Sequence, residues 1–289
     1  MKPRQSKAQA RTPDQTAAQA TRGAAGLLVS AAHRSSGKTT IALGLAAALS
    51  RRGWAVQPFK KGPDYIDAMW LASASERACY NLDPHLTSME GVQSFFARHT
   101  QHCDLALVEG NQGLHDGLAL DGSNSNAAVS AALDLPVVLV LDARGMTRGI
   151  APLILGHQAF DRRVRFAGVI LNRVGGARHE AKLRAVIERY TDVAVLGALA
   201  ERLDVAIDER HLGLIPSNEA VHCKSVIARI GAAVAADVDL DRLLAAAGAG
   251  LAPHRAPSRP AADTRRHDVR IGIAQDRAFG FYYSDDLEA

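Results

Sequence analysis

An apolar run, Leu27–Val29, passes into small and polar residues and then into Gly37-Lys38-Thr39-Thr40, after which Ile41–Arg51 carries a helical pattern. Strand, small-residue loop, helix is the order that a phosphate-binding loop requires. Gly37 lets the backbone approach a phosphate with no Cβ in the way. The first N–H groups of the helix, over Ser36 to Thr40, then point at the anion with the positive end of the helix dipole behind them. Lys38 would reach the outer phosphates, and the Thr39 hydroxyl would hold Mg²⁺. The consensus asks for glycine six residues before the lysine; Ala32 stands there, preceded by Ala31.

The rest of the chain repeats the strand–helix alternation. Ala55–Phe59, Leu105–Val108, Val137–Leu141, Ala167–Leu171 and Val193–Leu196 read as strands. Met69–Ser75, Met89–Arg98, Ala127–Leu133, Ile150–Phe160, His179–Tyr190 and Val221–Val234 read as helices, and Asn81–Pro84 as a turn. Near-continuous apolar strands alternating with helices imply an α/β fold, a mostly parallel sheet covered on both faces. Ligands of such sheets bind beyond the carboxyl ends of the strands. The Ser30–Thr40 loop, the Lys60–Asp67 loop, Glu109 and Asn172 all fall there, although far apart in sequence.

The net charge of +4 suggests nucleic acid until it is mapped. Residues 1–22 hold Lys2, Arg4, Lys7, Arg11 and Arg22 against Asp14, so the remainder is neutral and the basicity belongs to a tail read as disordered. No nucleic-acid partner follows from it. The tail lacks the apolar core of a secretory signal, and no apolar run approaches the length of a membrane span. Cys79, Cys103 and Cys223 are scattered without metal-ligand spacing, as in a reducing cytoplasm. Residues 245–268 are rich in Ala, Pro, Arg and Gly and read as a linker. Beyond it, Val269–Ala274 is expected as a strand and Phe279–Tyr283 as an aromatic turn or second strand, too little to bury a core alone.

Several stretches carry a resemblance: GKTT at Gly37–Thr40, FKKGPDYIDAMW at Phe59–Trp70, CYNLD at Cys79–Asp83, and VEGNQGLHDG at Val108–Gly117. Together with RIGIAQDRAFGFYYSDDLE at Arg270–Glu288, they resemble the glutamine-dependent a,c-diamide synthases of cobyrinic or hydrogenobyrinic acid and their sirohydrochlorin and sirohaem relatives. GPDYID followed by VEG…DG is the specific part; GKTT alone is not. The resemblance implies an ATP-dependent amidoligase domain of the dethiobiotin-synthetase type, a P-loop fold, over residues 23–244. It implies that 269–289 open a class I glutaminase domain whose nucleophilic cysteine would lie beyond residue 289. ATP and Mg²⁺ are the implied cofactors, a tetrapyrrole polycarboxylate the substrate, and glutamine or ammonia the nitrogen donor. A homodimer is left open.

Site roles follow from this frame. Asp64 and Glu109 are the candidates for Mg²⁺ beside Thr39. Lys60 would touch the phosphates next to Lys38, with Lys61 the adjacent competitor. Asp67 and Asp116 would orient the substrate carboxylate or the incoming ammonia, or take its proton. The plainer roles are a helix cap for Asp67 and a Gly-flanked turn for Asp116. Asn172 would read the adenine edge. Arg144, Arg148 and Arg173 follow strand ends and are expected to face the polycarboxylate. His33 and His115 receive no role.

Competing readings are a ParA/MinD-type switch ATPase, dethiobiotin synthetase itself, cobyric acid synthase, and a non-catalytic remnant of a split or degraded gene. The switch ATPases carry a lysine five residues before the loop lysine, where this chain has His33. Dethiobiotin synthetase and cobyric acid synthase lack GPDYID.

Overall fold

The computed structural model describes residues 25–201, 209–210, 213–219, 222–248, 271–276 and 278–288. The basic tail over 1–22 and all but the first residues of the expected linker lie outside them. Seven strands form one sheet: β1 Gly26–Ala31, β2 Val56–Lys61, β3 Tyr80–Leu82, β4 Leu105–Glu109, β5 Val137–Asp142, β6 Phe166–Val174 and β7 Val195–Ala200. Their order is β3-β2-β4-β1-β5-β6-β7, and every neighbouring pair is parallel. The helices between them are α1 Lys38–Arg51, α2 Ile66–Ser75, α3 Met89–His99, α4 Asn126–Ala132, α5 Ile150–Phe160 and α6 Ala177–Tyr190. After a two-residue ribbon, β8 Glu209–Arg210 with β9 Gly213–Leu214, come α7 Cys223–Asp237, α8 Leu240–Ala246 and α9 Ser284–Glu288. No described helix is long and apolar enough to cross a membrane.

The continuous apolar strands have the expected cause. Leu27, Val29, Leu105, Leu107, Val138 and Val140 belong to one buried cluster. Their neighbours Leu28, Ala106, Val108, Val137, Leu139 and Leu141 belong to another on the opposite face. Period-two alternation thus serves two cores at once. The first face is closed by α1, in which Ile41 to Leu49 are all buried. Helix α7 lies close against it: a Cβ on Gly44 would meet Val234 at 2.3 Å, and one on Gly231 would meet Ala47 at 2.9 Å. Small residues at those crossings set the distance between the helices.

Sequence and structure part at the edges. Asn81–Pro84 was expected as a turn, but Tyr80–Leu82 is the edge strand β3, in register with Phe59 to Lys61. Three residues are too few to show a period, so only the free side of β2 reveals it. Lys60 and Lys61 close β2 rather than open the loop. Helix α8 covers Ala245 and Ala246, the expected start of the linker, because Leu240, Leu243 and Leu244 lie on one buried face. Residues 271–275 are not a strand, and neither is Phe279–Tyr283.

Candidate functional site

The carboxyl ends of β1, β2 and β4 lie side by side, so their loops meet. After β1 the chain turns through Ser35 (φ 59°) and Gly37 (φ 87°), and Gly37 precedes the first turn of α1. Both are left-handed, and glycine adopts that region without strain. A Cβ on Gly37 would also lie 2.0 Å from Asn172 Nδ2. Asn172, at the end of β6, donates that amide to the Ser36 carbonyl (2.9 Å). Its amide nitrogen therefore holds the phosphate loop, a role the adenine expectation did not include.

The loop after β4 is fastened to β1. Gly110 N–H donates to Val29 O and Leu114 N–H to Ala31 O. Asn126, fully buried at the start of α4, donates to Ser30 Oγ, Asn111 O and Gly113 O, and its Oδ1 accepts from Asn111 N–H. The loop after β2 is held likewise: Asn81 Nδ2 donates to Gly62 O and Asp64 O. Sequence reasoning missed Asn126 and Asn81. Neither amide belongs to a pattern that local spacing reveals.

Between these loops lies a buried cluster of charges. Lys60 is 2% exposed, with Nζ 2.5 Å from Asp67 Oδ2, 3.3 Å from Glu109 Oε1 and 4.0 Å from Asp64 Oδ2. Lys38 Nζ is 3.9 Å from Glu109 Oε1. The Thr39 hydroxyl donates to Glu109 Oε1 (2.6 Å), with Asp67 Oδ2 at 3.4 Å. Burial opposes the charge on Lys60, but Glu109 and Asp67 outweigh it and hold its pKa above the usual lysine value. Burial lowers the pKa of Lys38, with Glu109 opposing. Glu109 is raised, first by burial and then against the attraction of Lys60. Asp67 is lowered because Lys60 overcomes its burial, whereas Asp64 is raised by burial and by Asp67.

Thr39, Lys38, Lys60, Asp67 and Glu109 are therefore one contact set. Asp64 reaches its margin, 40% exposed, with its Oδ1 accepting from Asp67 N–H (2.9 Å). Lys60 is the lysine turned into the set; Lys61, next along β2, takes its electrostatic attraction from Asp83 instead. Asp116 Oδ2 accepts from Gly113 N–H (2.9 Å), the bond of a Gly-flanked turn. The arginines find protein partners rather than this cluster. Arg144 and Arg173 both donate to Asp142, Arg173 also donates to Ser35 O, and Arg148 lies over Tyr190. His115 stacks on His157 of α5, and His33 turns back to the carbonyl of Arg34.

A divalent ion fits this donor set. Glu109 is fully buried, yet its Oε2 has no hydrogen-bond donor among the described residues. That orphaned oxygen and the Thr39 hydroxyl would be hard oxygen ligands beside the loop, with Asp67 next to them. Mg²⁺ takes one or two carboxylates and completes its shell with phosphate and water.

Comparison with known proteins agrees with the geometry. Residues 29–215 match the model of the CobQ/CobB/MinD/ParA nucleotide binding domain. The chain is 46% identical over 269 residues to a cobyrinate a,c-diamide synthase of Magnetococcus marinus, covering 91% of this chain and 57% of that one. It is 41% identical to the Listeria monocytogenes serotype 4b protein of the same name, over 91% and 58% of the two chains. A hydrogenobyrinate a,c-diamide synthase of Rhodobacter capsulatus is 42% identical, over 92% and 60%. The chain thus spans less than two thirds of the length of these relatives.

Proposed function

This chain belongs to the CobQ/CobB/MinD/ParA nucleotide-binding family, and from that premise we propose that it uses Mg·ATP to activate carboxylates of a tetrapyrrole for amidation. The acceptors would be the a and c acetates of cobyrinic acid, hydrogenobyrinic acid or a sirohydrochlorin. The observation that carries the reading is the Lys38–Thr39–Lys60–Asp67–Glu109 cluster at the carboxyl ends of β1, β2 and β4.

A carboxylate is a poor acyl donor because oxide is a poor leaving group. In the proposed reaction its oxygen attacks the γ-phosphorus of ATP, ADP leaves, and an acyl phosphate forms. Ammonia then attacks the acyl carbon, the C–O bond to phosphate breaks, and the nitrogen loses a proton to give the amide. Positioning and charge neutralisation supply most of the catalysis in phosphoryl transfer. Lys38 and Lys60 would neutralise phosphate oxygens, and their burial strengthens each interaction. Thr39 and Glu109 would hold Mg²⁺, which when bound offsets charge on the phosphates, and Asp67 would orient the acceptor carboxylate. Asp64, the carboxylate at the margin of the set, would take the proton that the nitrogen loses once it has attacked.

Glutamine is the donor that the resemblance implies, but no thiol here suits its hydrolysis. Burial raises Cys79 well above the ordinary thiol range, pushes Cys103 up to about 12, and raises Cys223. An attacking cysteine needs its thiolate. With ATP, Mg²⁺ and ammonium at a pH that leaves some NH₃, this chain should amidate cobyrinic acid or sirohydrochlorin; with glutamine it should not. Calorimetry should show ATP binding that Lys38→Ala abolishes. Equal ATP affinity in both proteins, or no amidation of any acceptor, would overturn the proposal.

A further inference from the structure

The residue between Asp64 and the start of α2 is Tyr65, and it is gripped from a distant part of the chain. Phe281 stacks on it with ring centroids 5.6 Å apart and planes 12° apart. Tyr283 stacks on it at 4.3 Å and 20°. Phe281 and Tyr283 thus both turn to Tyr65, across a tight turn in which Tyr282 N–H donates to Gly280 O. Tyr282 between them turns elsewhere, donating its hydroxyl to Ala274 O.

The segment is fixed at both ends. Ser284 Oγ donates to Cys79 O, and the Tyr80 hydroxyl donates to Glu288 Oε1, which moors α9 to β3. On the other side, Asn218 Nδ2 donates to Asp276 O. Gly280 passes close: a Cβ there would lie 2.5 Å from Asn218 Nδ2. Tyr65 in turn anchors the site loop. Its carbonyl accepts from Met69 N–H in the first turn of α2, and the neighbouring Asp64 accepts from Asp67 N–H. Asp67 then meets Lys60 and Thr39.

We propose that Phe281 and Tyr283 are positioning residues for the acceptor side of the site: by stacking on Tyr65 they set the Asp64–Asp67 loop against Lys60. The phosphate loop and Lys38 are built from β1 and α1, and the hydrogen bond that links them to the gripped segment is the long Thr39–Asp67 contact of 3.4 Å. Loss of the rings therefore loosens the carboxylate end of the site and leaves the nucleotide end intact. The kinetic part of this inference rests on the amidation reading above; the structural part does not.

The test compares the full chain with the double variant Phe281→Ala/Tyr283→Ala. Hydrogen exchange should accelerate about tenfold or more at the amides of residues 66–69, with ATP affinity unchanged to within about twofold. In ammonia-driven amidation, KM for the tetrapyrrole should rise about tenfold while KM for ATP stays put. The variant Phe281→Tyr, which keeps both rings and the hydrogen bond between Tyr283 and Tyr65, should behave as wild type. If the alanine variant does not fold, Phe281→Leu/Tyr283→Leu takes its place with the same expectations. Unchanged exchange at 66–69 overturns the grip, and a parallel loss of ATP affinity makes the rings merely structural. A wild-type chain that amidates nothing defeats the amidation reading alone, since the exchange measurement still decides the grip.

Discussion

Glu109 is the side chain where stability and proposed function pull apart. It is buried, raised in pKa, and holds one oxygen without a donor among the described residues. Charge kept in such a place costs stability, and active sites are where proteins retain it. Glu109→Gln removes the charge at nearly constant volume, and an amide oxygen still accepts from Thr39. Lys60 keeps Asp67 as its partner. The melting temperature should therefore hold or rise, while Mg²⁺-dependent ATP turnover falls by about a hundredfold. Calorimetric melting and a phosphate-release assay on the same preparation check both halves. A large loss of stability with turnover intact would mean that Glu109 is a structural partner of Lys60 and no more.

At the scale of elements, the loop from β4 to α4 carries Glu109 at one end and is pinned to β1 by a single side chain. Asn126 bonds Asn111 N–H, Asn111 O, Gly113 O and Ser30 Oγ with its side chain, and of these Gly113 O also accepts from Asp116 N–H. Asn126→Ala leaves these buried groups short of partners, each worth about 1–3 kcal/mol when unmet, less whatever water recovers. A net loss of about 3 kcal/mol is expected, which for a domain of this size lowers the melting temperature by about 6–12 °C. Ser30→Ala removes only one of these bonds and should cost less. Thermal denaturation of both variants checks the ranking; an Asn126 variant as stable as wild type would show that backbone bonds alone hold the loop.

For the whole molecule, the Asp142 pair of bonds joins the phosphate loop to the far half of the sheet. Asp142 ends β5, and Arg173 reaches both Asp142 and the Ser35 carbonyl. Although burial opposes its charge, hydrogen bonds from Arg144 and Arg173 hold the pKa of Asp142 down to about 2. A depressed carboxylate pKa stabilises the fold above the unfolded value and loses that contribution as pH falls toward the folded one. Asp67, also lowered, acts in the same direction. Arg144 is largely exposed, so the Asp142 contribution is discounted to about 1 kcal/mol. Asp142→Asn should melt about 2–4 °C below wild type at pH 7, and the gap should close between about pH 4 and pH 2. Parallel melting curves over that range, with a constant gap, would remove Asp142 from the account.

The local order of strand, glycine turn and helix, the two-sided burial of the sheet, and the placing of four polar features at its carboxyl edge could all be read from sequence. Those features repeat over short distances, as period-two apolar strands, helical spacing, and a glycine before a lysine. The choice of Lys60 over Lys61 needed the strand that puts successive side chains on opposite faces. The edge strand at Tyr80–Leu82, the amide of Asn126 beneath the Glu109 loop, and the pairing of Arg144 and Arg173 with Asp142 depended on neighbours remote in sequence. So did the seating of Phe281 and Tyr283 on Tyr65. A lone amide, carboxylate or ring has no period of its own, and its partner is chosen only when packing brings distant segments within hydrogen-bond or stacking reach.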